Sequence, residues 1–493
     1  MTTQIDNVRI KQEVTEYYRY AMFSHRWEGN EPLFEDVIRT AVQGLGKSHT
    51  HHKLKMFCKI VQDARLQWAW SDTCCINKAD SAVQQEALVA MFKWYEGSTL
   101  TVIFLCDVSS PSRRGDLTRS IWNTRAWTFQ EYHASKVVRF YTKDWTLYLN
   151  LDVHNHKESP AIISEMQEVT SVSARVLKAL RPGLRNIREK LYLASTRHAT
   201  RVEDAAYSLL GIFSMTLMAS YGEGDRALGR LLANLLTSSG DASILAWSGG
   251  SGTFNSCLPA DIAVFNQRSP PHIPLAMTSA EMEKTTARLR ASSLEPTLVM
   301  NLYNRLHALP VPSFAERRLK LPCLTFNIHP ESVTWHESGF VIRTVTDTLG
   351  IVDITTKEDV SQLDSLILVH PWIDYLLDKQ PIEDESSISK SSLRSRSNNT
   401  LLPPATEKAT PPSPVRPVVR ALTYPPPATS LQTHALELVA RLRQPFGALL
   451  FTPIRRNTHE YRRVAADSLI IVQIQENIPL NFLMENTRTL DVL

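Results

Sequence analysis

The chain has few cysteines, and its six thiols lack the regular spacing of a disulfide framework. Cys74 and Cys75 are adjacent in the sequence and suit no ordinary bridge, so we expect a reducing compartment and a cytoplasmic protein. Long apolar runs are also missing, because the polar N-terminus contains no signal segment and no stretch approaches roughly 18 apolar residues. The sequence therefore predicts neither secretion nor a membrane span.

Charge of one sign is scarce as well. The 54 Lys and Arg nearly balance the 50 Asp and Glu, and the net charge is +4. Without a basic run that carries interleaved aromatics, no nucleic-acid partner is predicted. The histidines His49, His51 and His52 lie close together, but they have no partner cysteines at metal-ligand spacing. We interpret this tract as a solvated loop and predict no metal site.

The length of 493 residues is enough for two or three domains with a sizeable core. The predicted fold class is α/β, with a parallel sheet and flanking helices, then a helical segment and a β-rich C-terminal domain. A Ser-rich and then Pro-rich tract near the C-terminus cannot bury enough apolar surface to fold. The predicted divisions are an α/β domain at 1–145, a helical extension at 146–245, a β-rich domain at 246–381, a disordered insertion at 382–429, and C-terminal strands at 430–493 that join the β-rich domain.

The stretch from Leu66 to Thr142 has a strong alternating pattern of strands and helices. This alternation is typical of a parallel sheet covered by helices. Ser81 and Gln84 fit a capping box, so we expect the first helix of the stretch to begin there. Its buried stripe is predicted from apolar residues at every fourth position: Val83, Ala87, Met91 and Tyr95. Functional residues in such sheets collect at the carboxyl ends of the strands, so the loop SDTCCINKAD is the predicted site.

Later segments carry other periodic patterns. One predicted helix has apolar residues at helical spacing over 202–213, and a second has them over 227–235, with a turn at 221–224 between them. Beyond Trp247 the apolar pattern predicts strands instead. The segments that carry this pattern are LKLPCLTFNI, SGFVIRTVTDTLGIVDI, FGALLF and SLIIVQI.

Four N-terminal tracts resemble, in the same order, the HET domain, the heterokaryon-incompatibility module of fungi. They are AMFSHRW, WAWSDTCCINKADSAVQQEALVAMFKWY, TVIFLCDV and RAWTFQEYHASKVVRFY. Ala126 stands where the family usually has Gly. The segment TRVEDAAYSLLGIFSMTLMASYGEGDRALGRL resembles the segment that follows the domain in many large fungal relatives. The C-terminal strands resemble the C-termini of basidiomycete members of that group. The resemblance implies a role in self/non-self recognition and in programmed cell death after incompatible cells fuse.

The strand–helix alternation also resembles, more distantly, the TIR fold, some members of which cleave NAD at the nicotinamide bond. TIR enzymes use a glutamate in a W-x-x-x-E pattern, and Trp127 and Glu131 have this spacing. Because positions i and i+4 share one face of a helix, Trp127 is expected to wall a pocket into which Glu131 points. The resemblance implies that Glu131 stabilises oxocarbenium-like charge as a ribosyl bond breaks. The alternative is an ordinary helix glutamate, either solvated or paired with Arg125 or Lys136.

The candidate ligand-binding residues are Ser24, Arg26, Trp27, Asp72, Cys75 and Trp127. Arg26 lies in the turn after a strand and either holds a phosphate or carboxylate or forms a structural ion pair. Asp72 is either a site acid or a turn-forming residue. Cys75 is either a nucleophile with His25 or His133 as its base or a structural thiol.

Two functions from different classes follow. The first is a signalling and cell-death module that acts by regulated self-association or by binding another incompatibility protein. The second is an NAD(P) glycohydrolase with Glu131 as its catalytic residue and NAD as its substrate; no other cofactor is predicted. The two functions are compatible, because TIR-type enzymes often need assembly to act. The second requires Glu131 to lie within roughly 10 Å of Asp72 and Ser24 around one cleft.

Overall fold

A computed structural model describes residues 7–170, 172, 180–266, 278–292, 294–336, 339–360, 363, 365–372, 428–455 and 459–493. The insertion predicted at 382–429 lies outside these residues, except for 428 and 429, where a helix begins. The predicted fold class is confirmed, because a parallel sheet with flanking helices is followed by helices and then by a β-rich region. The predicted domain boundaries remain a prediction.

The N-terminal sheet is parallel throughout. Its strands are β1 (Tyr20–His25), β2 (Trp68–Ser71), β3 (Leu100–Leu105) and β4 (Val138–Thr142). They lie in the order β2–β1–β3–β4 across the sheet. The chain leaves β1 toward one side for β2 and crosses to the other side for β3. The carboxyl ends of β1 and β3 therefore flank a switch point, which is where open α/β sheets bind ligands.

Helices surround this sheet. They are α1 (Asn7–Tyr17), α2 (Phe34–Arg39), α3 (His49–Asp63), α4 (Ser81–Gly97), α5 (Asp116–Arg119), α6 (Ala126–Ala134) and α7 (Pro160–Thr170). β1 and β3 are almost entirely buried beneath them, whereas β2 lies at an edge and exposes Trp68. Burial on both faces explains why the sequence of β3 is apolar almost throughout.

Two local predictions about these helices were wrong. The histidine tract is not a loop, because His49 begins α3 and Ser48 Oγ accepts a hydrogen bond from the His51 N–H at 3.2 Å. At the start of α4, Asp80 rather than the predicted Ser81–Gln84 box caps the helix. The Asp80 carboxylate accepts hydrogen bonds from the N–H groups of Ala82 and Val83 in the first turn of α4, which a carboxylate does at least as well as a hydroxyl.

The predicted stripe of α4 is also shorter than expected. Ala87, Met91 and Tyr95 are buried, but Val83 is exposed. Val83 lies in the first turn of α4, where the helix has not yet reached the rest of the core. The buried part of α4 packs on a helical segment that follows the N-terminal sheet in the chain.

That helical segment contains α8 (Ile187–Ser195), α9 (Asp204–Tyr207), α10 (Leu210–Phe213) and α11 (Arg226–Ser239). The single helix predicted over 202–213 is divided into α9 and α10. α10 lies so close to α4 that a Cβ on Gly211 would be 2.2 Å from the Phe92 Cβ. This close approach, which only glycine permits, is a tertiary contact that helical periodicity does not contain.

The C-terminal region combines helices with antiparallel sheets. Its helices are α12 (Ser279–Ala291), α13 (Pro296–His307), α14 (Ala428–Leu442) and α15 (Leu480–Glu485). Its strands are β5 (Ser313–Ala315), β6 (Arg318–Ile328), β7 (Pro330–His336), β8 (Gly339–Thr346), β9 (Gly350–Thr356), β10 (Leu366–Pro371), β11 (Phe446–Pro453), β12 (Glu460–Val464), β13 (Ile470–Val472) and β14 (Thr487–Val492).

The larger sheet of this region has the order β10–β11–β12–β14–β6–β5, with β13 on β11 and a further pairing of β10 with β6. The pairing of β12 with β14 is parallel, and the other pairings are antiparallel. A separate antiparallel sheet contains β7, β8 and β9. In the part of the chain that the structure describes, no helix is long and apolar enough to cross a membrane.

One hydrophobic core connects the regions. It contains Met22 of β1, Phe92 of α4, Leu231 of α11 and Leu321 of β6. The helical segment therefore lies between the N-terminal sheet and the larger C-terminal sheet. Its position matters for function, because it forms a wall beside the carboxyl ends of β1 and β2.

Candidate functional site

A cavity of about 340 Å³ lies where the carboxyl ends of β1 and β2 meet α4, the start of α6 and the helical segment. This volume is within the range of about 300–1,000 Å³ that is usual for ligand sites. The polar and aromatic residues that line it are His25, Trp27, Asp72, Lys78, Gln84, Arg125, Trp127, Thr128, Glu131, Thr200, Arg201, Asp204 and Tyr221. Apolar side chains of α4 form part of the remaining wall.

Glu131 is a buried acid at this cavity, with only 6% of its surface exposed. Ser24, which is fully buried in β1, donates a hydrogen bond from Oγ to Glu131 Oε2 at 2.5 Å. The indole N–H of Trp122 in turn donates to Ser24 Oγ at 2.8 Å. This chain of hydrogen bonds fixes the orientation of the carboxyl group and connects α6 to the sheet.

Burial raises the pKa of Glu131 to about 7, and the nearby charge of Asp72 adds to the rise. The hydrogen bond from Ser24 and the positive charge of Arg125 oppose it, because both favour the ionised carboxylate. At neutral pH the side chain is therefore present in both protonation states. Such an acid can donate a proton, accept one, or stabilise positive charge on a ligand.

Asp72 is a second acid at the same cavity, directly after β2. Its Oδ2 accepts a hydrogen bond from the Trp27 indole N–H at 2.7 Å, whereas its enclosed Oδ1 has no partner among the described residues. Burial raises the pKa of Asp72 to about 6, and the hydrogen bond from Trp27 opposes this rise. Two acids with raised pKa values thus face one cavity, an arrangement that is common in sites for acid–base or charge-stabilising chemistry.

Trp27 and Lys78 form the side of the cavity next to Asp72. The Lys78 Nζ lies 3.6 Å from the centre of the Trp27 ring, which is a close cation–π contact. His25, at the end of β1, also lines the cavity, and neither of its ring nitrogens has a hydrogen-bond partner in the described part of the chain. Burial, together with Lys53 and Arg125, lowers the pKa of His25 far below its usual range, so the ring is neutral.

The helical segment supplies the opposite wall. The Tyr221 hydroxyl donates to Asp204 Oδ1 at 2.9 Å, and the Arg201 guanidinium lies 4.3 Å from the centre of the Tyr221 ring. Burial raises the pKa of Asp204, and hydrogen bonds from Trp127 and Tyr221 oppose the rise. Trp127 therefore lies between Asp204 on this wall and Glu131 on the next turn of its own helix.

The structure brings together most of the residues that the sequence nominates. Trp27, Asp72, Trp127 and Glu131 line the cavity, and Ser24 lies directly behind Glu131. Glu131 is neither solvated nor paired with Arg125 or Lys136 in the described residues, which were the alternatives for it.

Arg26 and Cys75 do not line the cavity. Arg26 is exposed, and its backbone carbonyl accepts a hydrogen bond from the Lys53 Nζ at 3.1 Å. Cys75 is exposed, and its Sγ accepts a hydrogen bond from the Ser71 N–H at 3.4 Å. A hydrogen bond from Cys74 lowers the pKa of Cys75 to about 7. His133 lies at another cavity, at the carboxyl end of α6, so it is not positioned as a base for chemistry beside Glu131.

Several cavity residues were missed by the sequence reasoning. They are Lys78, Arg125, Arg201, Asp204 and Tyr221. Lys78 and Arg125 lie inside the two tracts that the sequence analysis identified as the candidate site. Their closeness in sequence to Asp72 and Trp127 could therefore have indicated that they line the same site. Arg201, Asp204 and Tyr221 come from a region more than 60 residues later, and no local pattern connects them to the site. Among the described residues, no group of three or more His, Cys, Asp or Glu is arranged to hold a metal ion.

The fold and the cavity define a class of protein: an α/β domain with a cavity lined by acidic and basic side chains at the carboxyl edge of a parallel sheet. Residues 20–115 match the family described as heterokaryon incompatibility protein (HET), so the chain contains a HET domain and the resemblance to that domain is confirmed. These residues include Ser24 and Asp72, whereas Trp127 and Glu131 follow them.

The chain is also 32% identical over 226 residues to the vegetative incompatibility protein HET-E-1 of Podospora anserina. The similarity covers 43% of this chain but only 16% of that much longer relative. No solved structure matches the chain significantly.

Proposed function

We propose that this protein acts in fungal heterokaryon incompatibility, as a cytoplasmic cell-death module that works by regulated self-association or by binding another incompatibility protein. The match of residues 20–115 to the HET family supports the proposal, as does the similarity to a protein named for vegetative incompatibility. The alignment with that relative covers a small part of its length, so its other regions are not a guide to this chain.

The experiment for this proposal is inducible expression of the full chain in a fungal host. We expect growth arrest and death, and normal growth at high expression would contradict the proposal. Sedimentation of the purified chain over a range of concentrations tests self-association separately. A protein that stays monomeric at every concentration would leave binding to another protein as the mode of action.

A second candidate function is an NAD(P) glycohydrolase, and the observation that favours it is Glu131 itself. This glutamate is buried at a cavity, oriented by Ser24, and has a pKa near 7. In NAD the bond between the ribosyl carbon and the nicotinamide nitrogen breaks, and its electron pair leaves with nicotinamide. Positive charge then develops on the ribosyl group, and an ionised carboxylate beside it stabilises that charge.

Water completes the proposed reaction by attacking the ribosyl carbon and losing a proton. Asp72 faces the same cavity and has a pKa near 6, so its ionised form is suited to accept that proton. The products are ADP-ribose, nicotinamide and a proton, which balances the reaction. Trp127 provides an aromatic face at the wall against which a flat ring can stack.

The test is nicotinamide release from NAD by the purified full chain, both dilute and in a crowding agent that favours assembly. We expect turnover in the assembled state and a loss of at least about a hundredfold in Glu131→Gln. Glu86→Gln is the matched control, because Glu86 is an exposed glutamate of α4 away from the cavity. Absence of turnover in every state would exclude the enzyme, and full turnover in Glu131→Gln would exclude Glu131 as its catalytic residue.

Expression of the same Glu131→Gln variant in the fungal host connects the two candidates. If the variant still kills cells, cell death does not depend on the chemistry of the cavity. If it no longer kills although it accumulates as a folded protein, the cavity is part of the signalling mechanism.

A further inference from the structure

The amino end of α6 lies at the wall of the cavity. Arg125, which precedes the helix, and Trp127 and Thr128 in its first turn all line the cavity. The first turn of an α-helix has backbone N–H groups without intrahelical partners, and this end of the helix is partly positive. The N–H of Ala126 donates to the His198 carbonyl at 2.9 Å, which fixes the helix start in this position.

Two cations line the cavity near the carboxyl groups of Asp72 and Glu131, but neither forms a direct hydrogen bond or ion pair with them. The Arg125 guanidinium forms no hydrogen bond or ion pair with any described residue, although its backbone carbonyl accepts one from Arg197. The Lys78 Nζ is enclosed and likewise has no hydrogen-bond acceptor in the described part of the chain. Buried polar groups normally have hydrogen-bond partners, so the enclosed Lys78 Nζ indicates a ligand that supplies an acceptor, and the half-buried Arg125 adds a second positive charge.

His25 is an independent observation that points to a ligand. It is 5% exposed, it lines the same cavity, and neither of its enclosed ring nitrogens has a hydrogen-bond partner among the described residues, although Nε2 lies 4.0 Å from Glu31 Oε2. Because the ring is neutral, one nitrogen donates a hydrogen bond and the other accepts one. His25, Arg125 and the start of α6 therefore add hydrogen-bond donors to the lining of the same cavity.

We propose that this region holds the phosphate group of a nucleotide, with Arg125 and the first turn of α6 as its anchor and His25 as a further donor. A phosphate has several acceptor oxygens and a charge that a guanidinium and a helix amino end both favour. The proposal rests on the glycohydrolase function given above and names its substrate class. The cavity takes phosphorylated nucleosides in preference to free nucleosides.

The test compares two probes that differ only in the phosphate: nicotinamide mononucleotide and nicotinamide riboside. Their binding to the full chain carrying Glu131→Gln is measured by calorimetry, so that slow or absent turnover does not affect the result. We expect the mononucleotide to bind at least about tenfold more tightly, because one charge-assisted contact accounts for a factor of this size. Equal affinity for the two probes, or no binding of either, would overturn the proposal.

Substitution of Arg125 tests whether this residue causes the preference for the mononucleotide. Arg125→Gln on the same background is expected to reduce the preference for the mononucleotide to about twofold or less. Arg39→Gln is the matched control, since Arg39 is an exposed arginine of α2 outside the cavity, and it is expected to keep the full preference. A preference that survives Arg125→Gln would contradict the assignment of Arg125.

Competition by inorganic phosphate needs no further substitution and tests the same region if Arg125→Gln does not fold. Phosphate is expected to compete with the mononucleotide and not with the riboside. Competition with neither probe would overturn the proposal. The outcomes stay separate from those of the proposed function: turnover without a phosphate preference contradicts only the anchor, and a phosphate preference without turnover contradicts only the enzyme.

Discussion

Buried charged and polar groups occur in two regions of this protein, and the two regions treat them differently. Between the helical segment and the larger C-terminal sheet, Arg463 donates from Nη1 to the Leu245 carbonyl at 2.8 Å and from Nη2 to the Trp247 carbonyl at 2.7 Å. At the cavity, His25 and Lys78 have no such partners among the described residues. In the first region a buried charge is held by backbone carbonyl groups, whereas in the second, buried polar atoms of His25 and Lys78 have no hydrogen-bond partner among the described residues.

The two regions differ because backbone carbonyl groups are within reach of the buried side chain in the first region and, among the described residues, not in the second. Arg463 reaches carbonyl groups at the end of a short helical turn, and its guanidinium also lies 3.8 Å from the centre of the Trp247 ring. The carboxyl edge of a parallel sheet instead presents side chains from separate loops around an open space. The comparison predicts that removing the buried polar group lowers stability in the first region. In the second region it is expected to raise stability and to weaken ligand binding.

The largest effect is expected for Arg463→Met. Methionine keeps much of the volume but removes two hydrogen bonds, so the Trp247 carbonyl loses the donor from Arg463 and the Leu245 carbonyl keeps only the Trp247 N–H. Hydrogen bonds to charged groups contribute about 1.5–3 kcal/mol each. We expect the free energy of unfolding in urea to fall by about 4 kcal/mol. Arg39→Met on the surface is the control and should change it little. If Arg463→Met changes the free energy of unfolding only slightly, the proposed difference between the two regions is contradicted.

The next effect concerns pH. The pKa of Glu131 is about 7 in the folded protein and about 4.5 when the chain is unfolded, so the folded state binds more protons between these values. Stability is therefore expected to fall as the pH rises from about 4 to about 7. The loss is on the order of 3 kcal/mol, from about 1.4 kcal/mol for each pKa unit.

Glu131→Gln should remove the part of this dependence that Glu131 contributes, because a neutral amide resembles the protonated acid, whereas Asp72, with its pKa raised to about 6, keeps its own part. The measurement is urea unfolding at pH 5 and pH 8 for both proteins. If the two proteins lose the same stability between these values, the raised pKa of Glu131 is contradicted.

A substitution that changes only side-chain volume, and no charge, gives a reference for the size of these changes in the free energy of unfolding. Gly211→Ala places a Cβ 2.2 Å from the Phe92 Cβ and forces α10 away from α4. We expect a loss of about 2 kcal/mol in the free energy of unfolding, as for other overpacked cores. Gly250→Ala is the control, since no atom lies within 4 Å of the added group there. Because α4 and the helical segment both line the cavity, Gly211→Ala should also weaken binding of the mononucleotide.

The smallest expected effect has the opposite sign. His25→Phe replaces two unpartnered nitrogens with an apolar ring that still stacks on Phe23, whose ring centre is 4.3 Å away. We expect the free energy of unfolding to rise by up to about 1 kcal/mol, since the desolvated nitrogens are removed. Binding of the mononucleotide should fall at the same time. A clear loss of stability would mean that His25 is a structural residue and not part of a ligand site.

Much of the local structure could be read from the sequence. The apolar tracts Tyr20–His25 and Leu100–Leu105 form strands, and the spacing of Trp127 and Glu131 places both on one side of α6, facing the cavity. The errors came where a local signal had competitors. Asp80, the residue before Ser81, caps α4 in place of Ser81. The histidine tract lies in α3 because the apolar residues that follow it in this helix are buried.

The candidate site was harder to predict, because its walls come from distant parts of the chain. Ser24 and Glu131 are joined by one hydrogen bond across 107 residues, and Asp204 and Tyr221 reach the cavity from the helical segment. No periodicity or spacing encodes such contacts. They depend on which strands are neighbours and on which helices pack together.

The sequence alone therefore determined the elements, the fold class and the two tracts that carry Asp72 and Glu131. Only the tertiary structure decided that these tracts share a cavity, because the strand order β2–β1–β3 brings the ends of β1 and β2 together and α6 returns to Ser24. It also decided which buried groups have partners. The carbonyl partners of the Arg463 Nη atoms, and the lack of hydrogen-bond partners for the Arg463 Nε and for both His25 nitrogens among the described residues, are consequences of packing between remote segments, which local sequence does not specify.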